Sequence, residues 1–259
     1  MMGLVRTEGV ILRTYPFSET SKIVHAYTLH YGLQSLMAKG ARRSRSKFGG
    51  SLETFTRLEL LYYKKKTDSL NTLSECSVLE SFPGLSIDLD RFYAGSVCID
   101  MVKRFTMPEE NNVTLYRLII SSLRKIECSK PDDSERHLLS FIWQFLTLMG
   151  FRPDFMICAS CGGAMEDPSV LIAYDEAVGG FCGSCSANHP DTYIVDKRAG
   201  EFIQGISEGK DPNQKQLDGD FLLDVWRFTI NYIRLHLHQD KGIASLGSFL
   251  RHVYTMKVS

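Results

Sequence analysis

Four cysteines carry the strongest chemical signal in this chain of 259 residues. Cys158-Ala159-Ser160-Cys161 and Cys182-Gly183-Ser184-Cys185 are both C-x-x-C, with twenty residues between the pairs. Two residues between thiolates let one turn bring both sulfurs to a single ion, and Gly162, Gly163 and Gly183 let the backbone fold closely around them. Two such pairs at this separation predict one structural zinc held by Cys158, Cys161, Cys182 and Cys185. A pair of buried or redox-active dithiols is the alternative. Four sulfur ligands complete the tetrahedron and leave no position for water, so the metal contributes to folding and not to catalysis. His189 lies four residues past Cys185 and reads as a turn residue, while Cys76, Cys98 and Cys128 read as small buried or incidental thiols.

The second signal is charge. Lys39, Arg42, Arg43, Arg45 and Lys47 place five cations in nine residues with no acid among them, flanked by Gly40, Gly49 and Gly50, and Lys64-Lys65-Lys66 adds three more. Such density suits phosphate, because each cation displaces condensed counterions from a polynucleotide. A solvated, flexible loop is the plainer reading. Tyr27, Tyr31, Phe48, Phe55, Tyr62 and Tyr63 lie in the same region and offer faces on which bases stack, although at least half of them are needed to fill a core.

Other chemistry is missing. The chain has no phosphate-cradling G-x-x-x-x-G-K-[ST], no dinucleotide-type G-x-G-x-x-G and no H-E-x-x-H. Asp88-Leu89-Asp90 and Asp218-Gly219-Asp220 resemble nuclease acids, but each stands where a helix begins, and capping accounts for them. Glu19 and His25 give an acid and a base with no reason to meet.

The elements that must position these residues fall into two classes. Val10 to Thr14, Lys22 to His30, Leu33 to Ala38, Leu52 to Lys66 and Leu70 to Glu80 read as five strands separated by turn chemistry. In the second, Ile23, His25, Tyr27 and Leu29 share one face and Val24, Ala26 and Thr28 the other. Five short strands in about eighty residues suit a small closed barrel of OB type, with a sandwich as the alternative. After Pro83-Gly84 the period changes. Leu89, Tyr93, Val97, Met101 and Phe105 mark a helix that Asp88 caps and that Pro108 follows. Tyr116, Ile119, Leu123 and Ile126 mark a second helix, and Leu138, Ile142, Phe145 and Met149 a third. Phe221, Val225, Phe228, Tyr232 and Leu235, with Leu222, Trp226, Ile230, Ile233 and Leu237 beside them, form the wide stripe of a core-facing helix. Between the cysteine pairs, Val170 to Tyr174 reads as a strand and Gly179-Gly180 as its return turn. Asn213 to Gly219 reads as a long polar connection.

The expected architecture is therefore α+β: an N-terminal five-stranded OB-type barrel over residues 1–82, then a helical domain over 83–259 carrying a four-cysteine zinc ribbon inserted at 153–194. The formal charge is zero, yet residues 1–80 hold twelve Lys/Arg against seven Asp/Glu, a net of +5, and the rest of the chain is correspondingly acidic. A basic half joined to an acidic half implies different partners for each. No export signal or membrane span is legible, and paired cysteines in such a chain suit a reducing, cytoplasmic compartment.

On these residues the sequence resembles the RecO family of bacterial DNA-repair proteins. The matching pieces run in order: Glu8-Gly9-Val10-Ile11-Leu12, Ser18-Glu19-Thr20-Ser21-Lys22-Ile23, Thr28-Leu29-His30-Tyr31-Gly32, Ala38-Lys39-Gly40-Ala41-Arg42-Arg43 and Phe48-Gly49-Gly50-Ser51-Leu52-Glu53-Thr54-Phe55-Thr56, then both cysteine pairs with Gly179-Gly180-Phe181. The resemblance implies a non-catalytic recombination mediator. Such a protein binds single- and double-stranded DNA, anneals complementary strands, works with RecR, receives the acidic, apolar C-terminal tail of SSB, and helps place RecA on SSB-coated strands. By analogy Lys39, Arg42, Arg43, Arg45 and Lys47 grip phosphates. The chain departs from the expected basic character of that family in being neutral with an acidic second half, which argues against strong duplex binding through the helical domain. A protein-interaction adaptor with a structural ribbon, and a zinc-dependent nucleic-acid enzyme, are the competing readings. A deaminase would need an open zinc position and an H-x-E arrangement, which the sequence lacks.

Overall fold

A computed structural model describes residues 3–65, 70–130, 133–165, 171–175, 178–190, 192–210, 219–237 and 243–258. Lys66, Val170, Asp218 and most of the polar connection at 213–219 lie outside the described residues.

Strands β1 (Gly3–Pro16), β2 (Lys22–Thr28), β3 (Gly32–Ala38), β4 (Thr56–Lys64) and β5 (Asn71–Ser81) close into a barrel of order β1-β2-β3-β5-β4, with β4 pairing back onto β1. The closed form excludes the sandwich. Alternation fills the interior. Ile11, Val24, Ala26, Leu36, Leu58, Leu60, Tyr62 and Leu73 are buried in one cluster, and full closure leaves the sheet without an open edge. Every ladder is antiparallel except β3 with β5, a parallel seam of two register pairs, Leu36↔Asn71 and Met37↔Thr72. Beside that seam Asn71 donates to Gln34 at 3.0 Å, so the buried polar groups satisfy one another.

Three strands differ from the sequence expectation: β2 stops at Thr28, two residues short of His30, where the turn to β3 begins. β1 is longer at both ends. β4 begins at Thr56 and not at Leu52, because the chain turns at Phe55, whose φ of 64° is left-handed. The Phe55 N–H donates to the Ile11 carbonyl at 3.2 Å, and Phe82 N–H donates back to Phe55 at 3.3 Å, which holds a bulky residue in a costly conformation.

The chain packs as two units, Met1–Leu138 with Ile243–Ser259, and Leu139–Gly242. In the first, the barrel is joined by α1 (Gly84–Ile87), α2 (Leu89–Phe105), α3 (Val113–Cys128) and α8 (Ala244–Val258). Asp88 caps α2 by accepting from Arg91 N–H at 3.0 Å, and Asn112 caps α3 by accepting from Leu115 N–H at 2.9 Å. Gly95 lets α2 approach the turn at Phe55: a Cβ at 95 would lie 3.1 Å from that ring. α8 packs along α2, with His252 Nε2 2.7 Å from Asp90 and Ser245 Oγ donating to Asp100 at 2.9 Å. A half-buried ion network ties strands to helix. Arg57 of β4 donates to Glu8 (2.7 Å) and Glu80 (3.3 Å), and Arg124 of α3 grips Glu80 through two bonds of 2.6 Å.

The division between the units falls within α4 (Ser134–Leu148). The second unit adds β6 (Leu171–Asp175), β7 (Gly179–Phe181), α5 (Gly183–Ser186), β8 (Tyr193–Asp196), α6 (Lys197–Ser207) and α7 (Gly219–His236). The sheet order is β7-β6-β8. Gly179 and Gly180 belong to a strand and not to the turn before it. Aromatic rings tie this ribbon to the helices: Phe155, Tyr174 and Phe228 stand 5.0–5.4 Å apart, and Trp143 lies 5.8 Å from Phe228. The buried Trp143 indole donates to Thr229 at 3.1 Å. Among the described residues no helix is long and apolar enough to cross a membrane.

Candidate metal centre and nucleic-acid interface

The Sγ atoms of Cys158, Cys161, Cys182 and Cys185 lie within 4.8 Å of one another, and Cys161 and Cys182 are 3.9 Å apart. Four thiolates around one zinc stand roughly 3.8 Å from each other, given bonds of about 2.3 Å, so the donor set and its spacing fit a structural metal. Two turns make the cluster. Gly162 N–H donates to the Cys158 carbonyl, with Gly162 at a φ of 70°, and Cys185 N–H donates to the Cys182 carbonyl. The strand β7 delivers the second pair to the first through Ala159 N–H to the Gly180 carbonyl at 2.8 Å. Backbone N–H groups of Cys161 and Cys182 aim at the Cys158 sulfur and lower its pKa to about 6, while the neighbouring Cys182 thiol pushes Cys185 up to about 12. Four sulfurs sharing one small space resist carrying four negative charges together, and a cation removes that conflict. His189 stands apart from the sulfurs and stacks on Phe181 at 3.9 Å. Cys98 is fully buried, which raises its thiol, and Cys128 is exposed.

The basic segment is a loop, but an anchored one. Ala41, Phe48 and Leu52 are buried with the barrel core and fix the loop at three points. Successive turns carry it between them: Arg43 N–H donates to the Gly40 carbonyl, Ser46 N–H to Arg43, and Ser51 N–H to Phe48. Arg42 is held against the β1–β2 turn, its N–H donating to Thr20 at 2.9 Å and its guanidinium to the Ser18 carbonyl at 2.7 Å. Lys39, Arg43, Arg45 and Lys47 are exposed, with the Lys47 ammonium 5.3 Å from the Phe48 ring. A chain pinned by apolar residues and displaying cations outward loses little entropy when it meets an anion. Of the aromatics expected to stack bases, Tyr27, Phe48, Phe55 and Tyr62 are core; Tyr31 is half-buried and Tyr63 is 40% exposed. Lys64 is paired with Glu109 at 2.9 Å.

A second basic cluster escaped the sequence reading. Tyr15 of β1 is flanked by two cations, the Arg13 guanidinium at 5.1 Å and the Lys103 ammonium of α2 at 5.2 Å from its ring. Lys103 also donates to the Tyr15 hydroxyl at 2.7 Å. His25 meets the Tyr15 ring edge-on at 5.5 Å and bonds Ser35 at 2.9 Å. Its pKa is lowered, first by burial and then by Lys103 and Arg13. The pairing of Arg13 with Tyr15 at alternate positions was the only signal in the sequence.

Comparison with known proteins agrees with this architecture at both ends. A family model described as recombination protein O, N terminal, matches residues 1–82, and one described as recombination protein O, C terminal, matches residues 87–242. The chain belongs to the RecO family. Relatives described as DNA repair protein RecO include one from Syntrophus aciditrophicus, 36% identical over 70% of this chain and 69% of that protein. One from Prosthecochloris aestuarii is 31% identical over 67% and 65%, and one from Streptomyces griseus is 27% identical over 95% and 98%. RecO membership places the chain among DNA-repair and recombination proteins, and the five-stranded barrel is the RecO N-terminal domain.

Proposed function

We propose that this chain is a non-catalytic recombination mediator that binds single-stranded DNA through the cations of its anchored loop, Lys39, Arg42, Arg43, Arg45 and Lys47. The observation that carries the reading is the anchoring itself. Ala41, Phe48 and Leu52 sit in the barrel core while the charged side chains between them face solvent, which is the arrangement of a preformed phosphate cradle and not of a solvated tether. Phosphate contacts of this kind hold strands without reading sequence, so two strands held alike are free to find their complement. Duplex DNA offers the same phosphates and binds more weakly in this reading, because the second half of the chain is acidic.

Cys158, Cys161, Cys182 and Cys185 hold one zinc ion, which supplies folding energy to the ribbon and no chemistry to a substrate. Boundaries at residue 82 and a ribbon spanning 153–194 belong to the same proposal, as do a cytoplasmic location, a partnership with RecR and an encounter with the C-terminal tail of SSB that ends in RecA loading. The test is strand annealing by the purified protein, without nucleotide, on bare and on SSB-coated template. Annealing on both supports the mediator. Failure to bind oligonucleotides at low ionic strength rejects it in favour of an adaptor, and strand cleavage or base modification rejects it in favour of an enzyme.

A further inference from the structure

Three-dimensional convergence gives the outer face of the barrel a feature that the loop does not explain. Arg13 pairs with His25 and His25 with Ser35, so the three side chains form one cross-strand row on β1, β2 and β3. The next row holds Tyr15, Ile23 and Met37. Residues 35 and 37 alternate with the buried Leu36 and Ala38, and Lys39 is the next position of that outward series. The row therefore runs toward the basic loop. Phe17, two residues beyond Tyr15, is 48% exposed.

Lys103 brings a second cation to the Tyr15 ring from α2, and no acidic side chain among the described residues forms an ion pair with Lys103 or Arg13. Two cations gathered at one ring, with no acid paired to either, make a locally positive surface that draws an anion. Both cations border a cavity of about 410 Å³ beside the row, whose other walls include Leu12, Phe92 and Ile99 with the Thr54 hydroxyl. Asp100 also lines it, but its carboxylate is occupied by Arg104 at 3.5 Å and Ser245 at 2.9 Å. The site thus joins unneutralised positive charge to an apolar recess of the size that takes a small organic group.

We propose that Arg13 and Lys103 bind a phosphodiester of a single nucleic-acid strand and that the adjoining cavity receives one unstacked base of it. This deepens the DNA-binding reading and rests on it. A duplex keeps its bases inside the stack and offers phosphates alone, whereas a single strand supplies both the anion and the apolar ring that the two halves of the site require. Tyr15 is a positioning residue: its ring holds both cations at the phosphate, and its hydroxyl accepts from Lys103. The strand continues along the row to Lys39 and the loop, so the loop and the cavity are two stations of one path.

The test compares four full-length variants by fluorescence anisotropy with an oligothymidylate and with a duplex of equal length, across a salt series. Arg13→Ala/Lys103→Ala is expected to weaken single-strand binding about tenfold and to reduce the salt slope by about 0.7, the value for one lost phosphate contact, while duplex affinity stays near that of the wild type. Arg13→Lys/Lys103→Arg is expected to retain binding, which separates charge from folding. Phe92→Ala is expected to weaken single-strand binding without changing the slope. Unchanged single-strand affinity in Arg13→Ala/Lys103→Ala, with a loss in an Arg42→Ala/Arg43→Ala variant, overturns this site and leaves the DNA-binding reading standing. Absence of oligonucleotide binding by the wild type overturns both. Equal losses for strand and duplex overturn the base-receiving cavity, and loss of an acidic peptide probe in place of the oligonucleotide reassigns the site to a protein partner.

Discussion

Arg57 of β4 stands 2.7 Å from the carboxylate of Glu8 on β1, and the same guanidinium reaches Glu80 of β5 at 3.3 Å. One side chain thus ties three strands of the barrel, and Arg124 extends the tie to α3. Removing Arg57 takes the half-buried Glu8 carboxylate's cation away and leaves Glu80 to Arg124 alone. Arg57→Ala is expected to lower stability by about 2 kcal/mol, read from the midpoint of urea unfolding, with Arg57→Lys recovering only part of it because a lysine ammonium lacks the fork that serves both acids.

The same network makes a pH prediction. Glu80 is held below the ordinary carboxylate value of 4.5, first by the Arg124 hydrogen bonds and then by Arg57. A depressed folded value means that the stabilisation is complete above the ordinary value and disappears as the pH falls through the folded one. The melting-temperature gap between wild type and Glu80→Gln is expected to be open at neutral pH and to close progressively below about pH 4.5. A gap that stays constant into acid would refute the assignment.

Gly32 begins β3 at a φ of 58°, and a Cβ there would collide with the Glu110 carbonyl. The segment around Pro108 and Glu109 lies on β3 at this point, with Glu109 N–H donating to the Leu33 carbonyl at 3.3 Å. Gly32→Ala combines a left-handed backbone with a backbone clash, so a loss of about 3 kcal/mol is expected in denaturant unfolding.

Cys158 is the buried member of the four-sulfur set. Cys158→Ser is expected to remove the bound metal, measured as zinc per chain by elemental analysis, and to lower the melting temperature of the 139–242 unit. A strong chelator should do the same to the wild type and nothing further to the variant.

Arg42 is anchored to Ser18, whereas Arg43 is exposed without that tether. Arg43→Ala is expected to cost single-strand affinity alone, seen as a lower salt slope, while Arg42→Ala costs affinity and also loosens the turn at Ser18. Hydrogen exchange at residues 17–21 distinguishes the two.

The barrel and the sulfur cluster were legible because their rules are local. Strand alternation wrote β2 and β3 into the sequence, C-x-x-C spacing foretold that the four sulfurs would gather in one cluster, and Asp88 announced α2 by its position. α6 and α8 were illegible for physical reasons. Gly200 and Gly205 interrupt α6, and Ser245, Gly247 and Ser248 weaken the intrinsic helicity of α8, which gains its stability by burying Leu246 and Phe249. The cluster at Tyr15 was illegible for another reason. Lys103 lies 88 residues from Tyr15, and no local pattern records that meeting.

The return of α8 to α2 has a consequence for how the molecule is made. A ribosome delivers the barrel and α2 early, yet the flank of α2 marked by Asp90, Tyr93 and Asp100 stays uncovered until the chain beyond Ile243 emerges. The whole 139–242 unit is synthesised in that interval and has time to fold first. Vectorial synthesis therefore leaves the barrel-bearing unit of the nascent protein open along one flank of α2 until α8 has emerged.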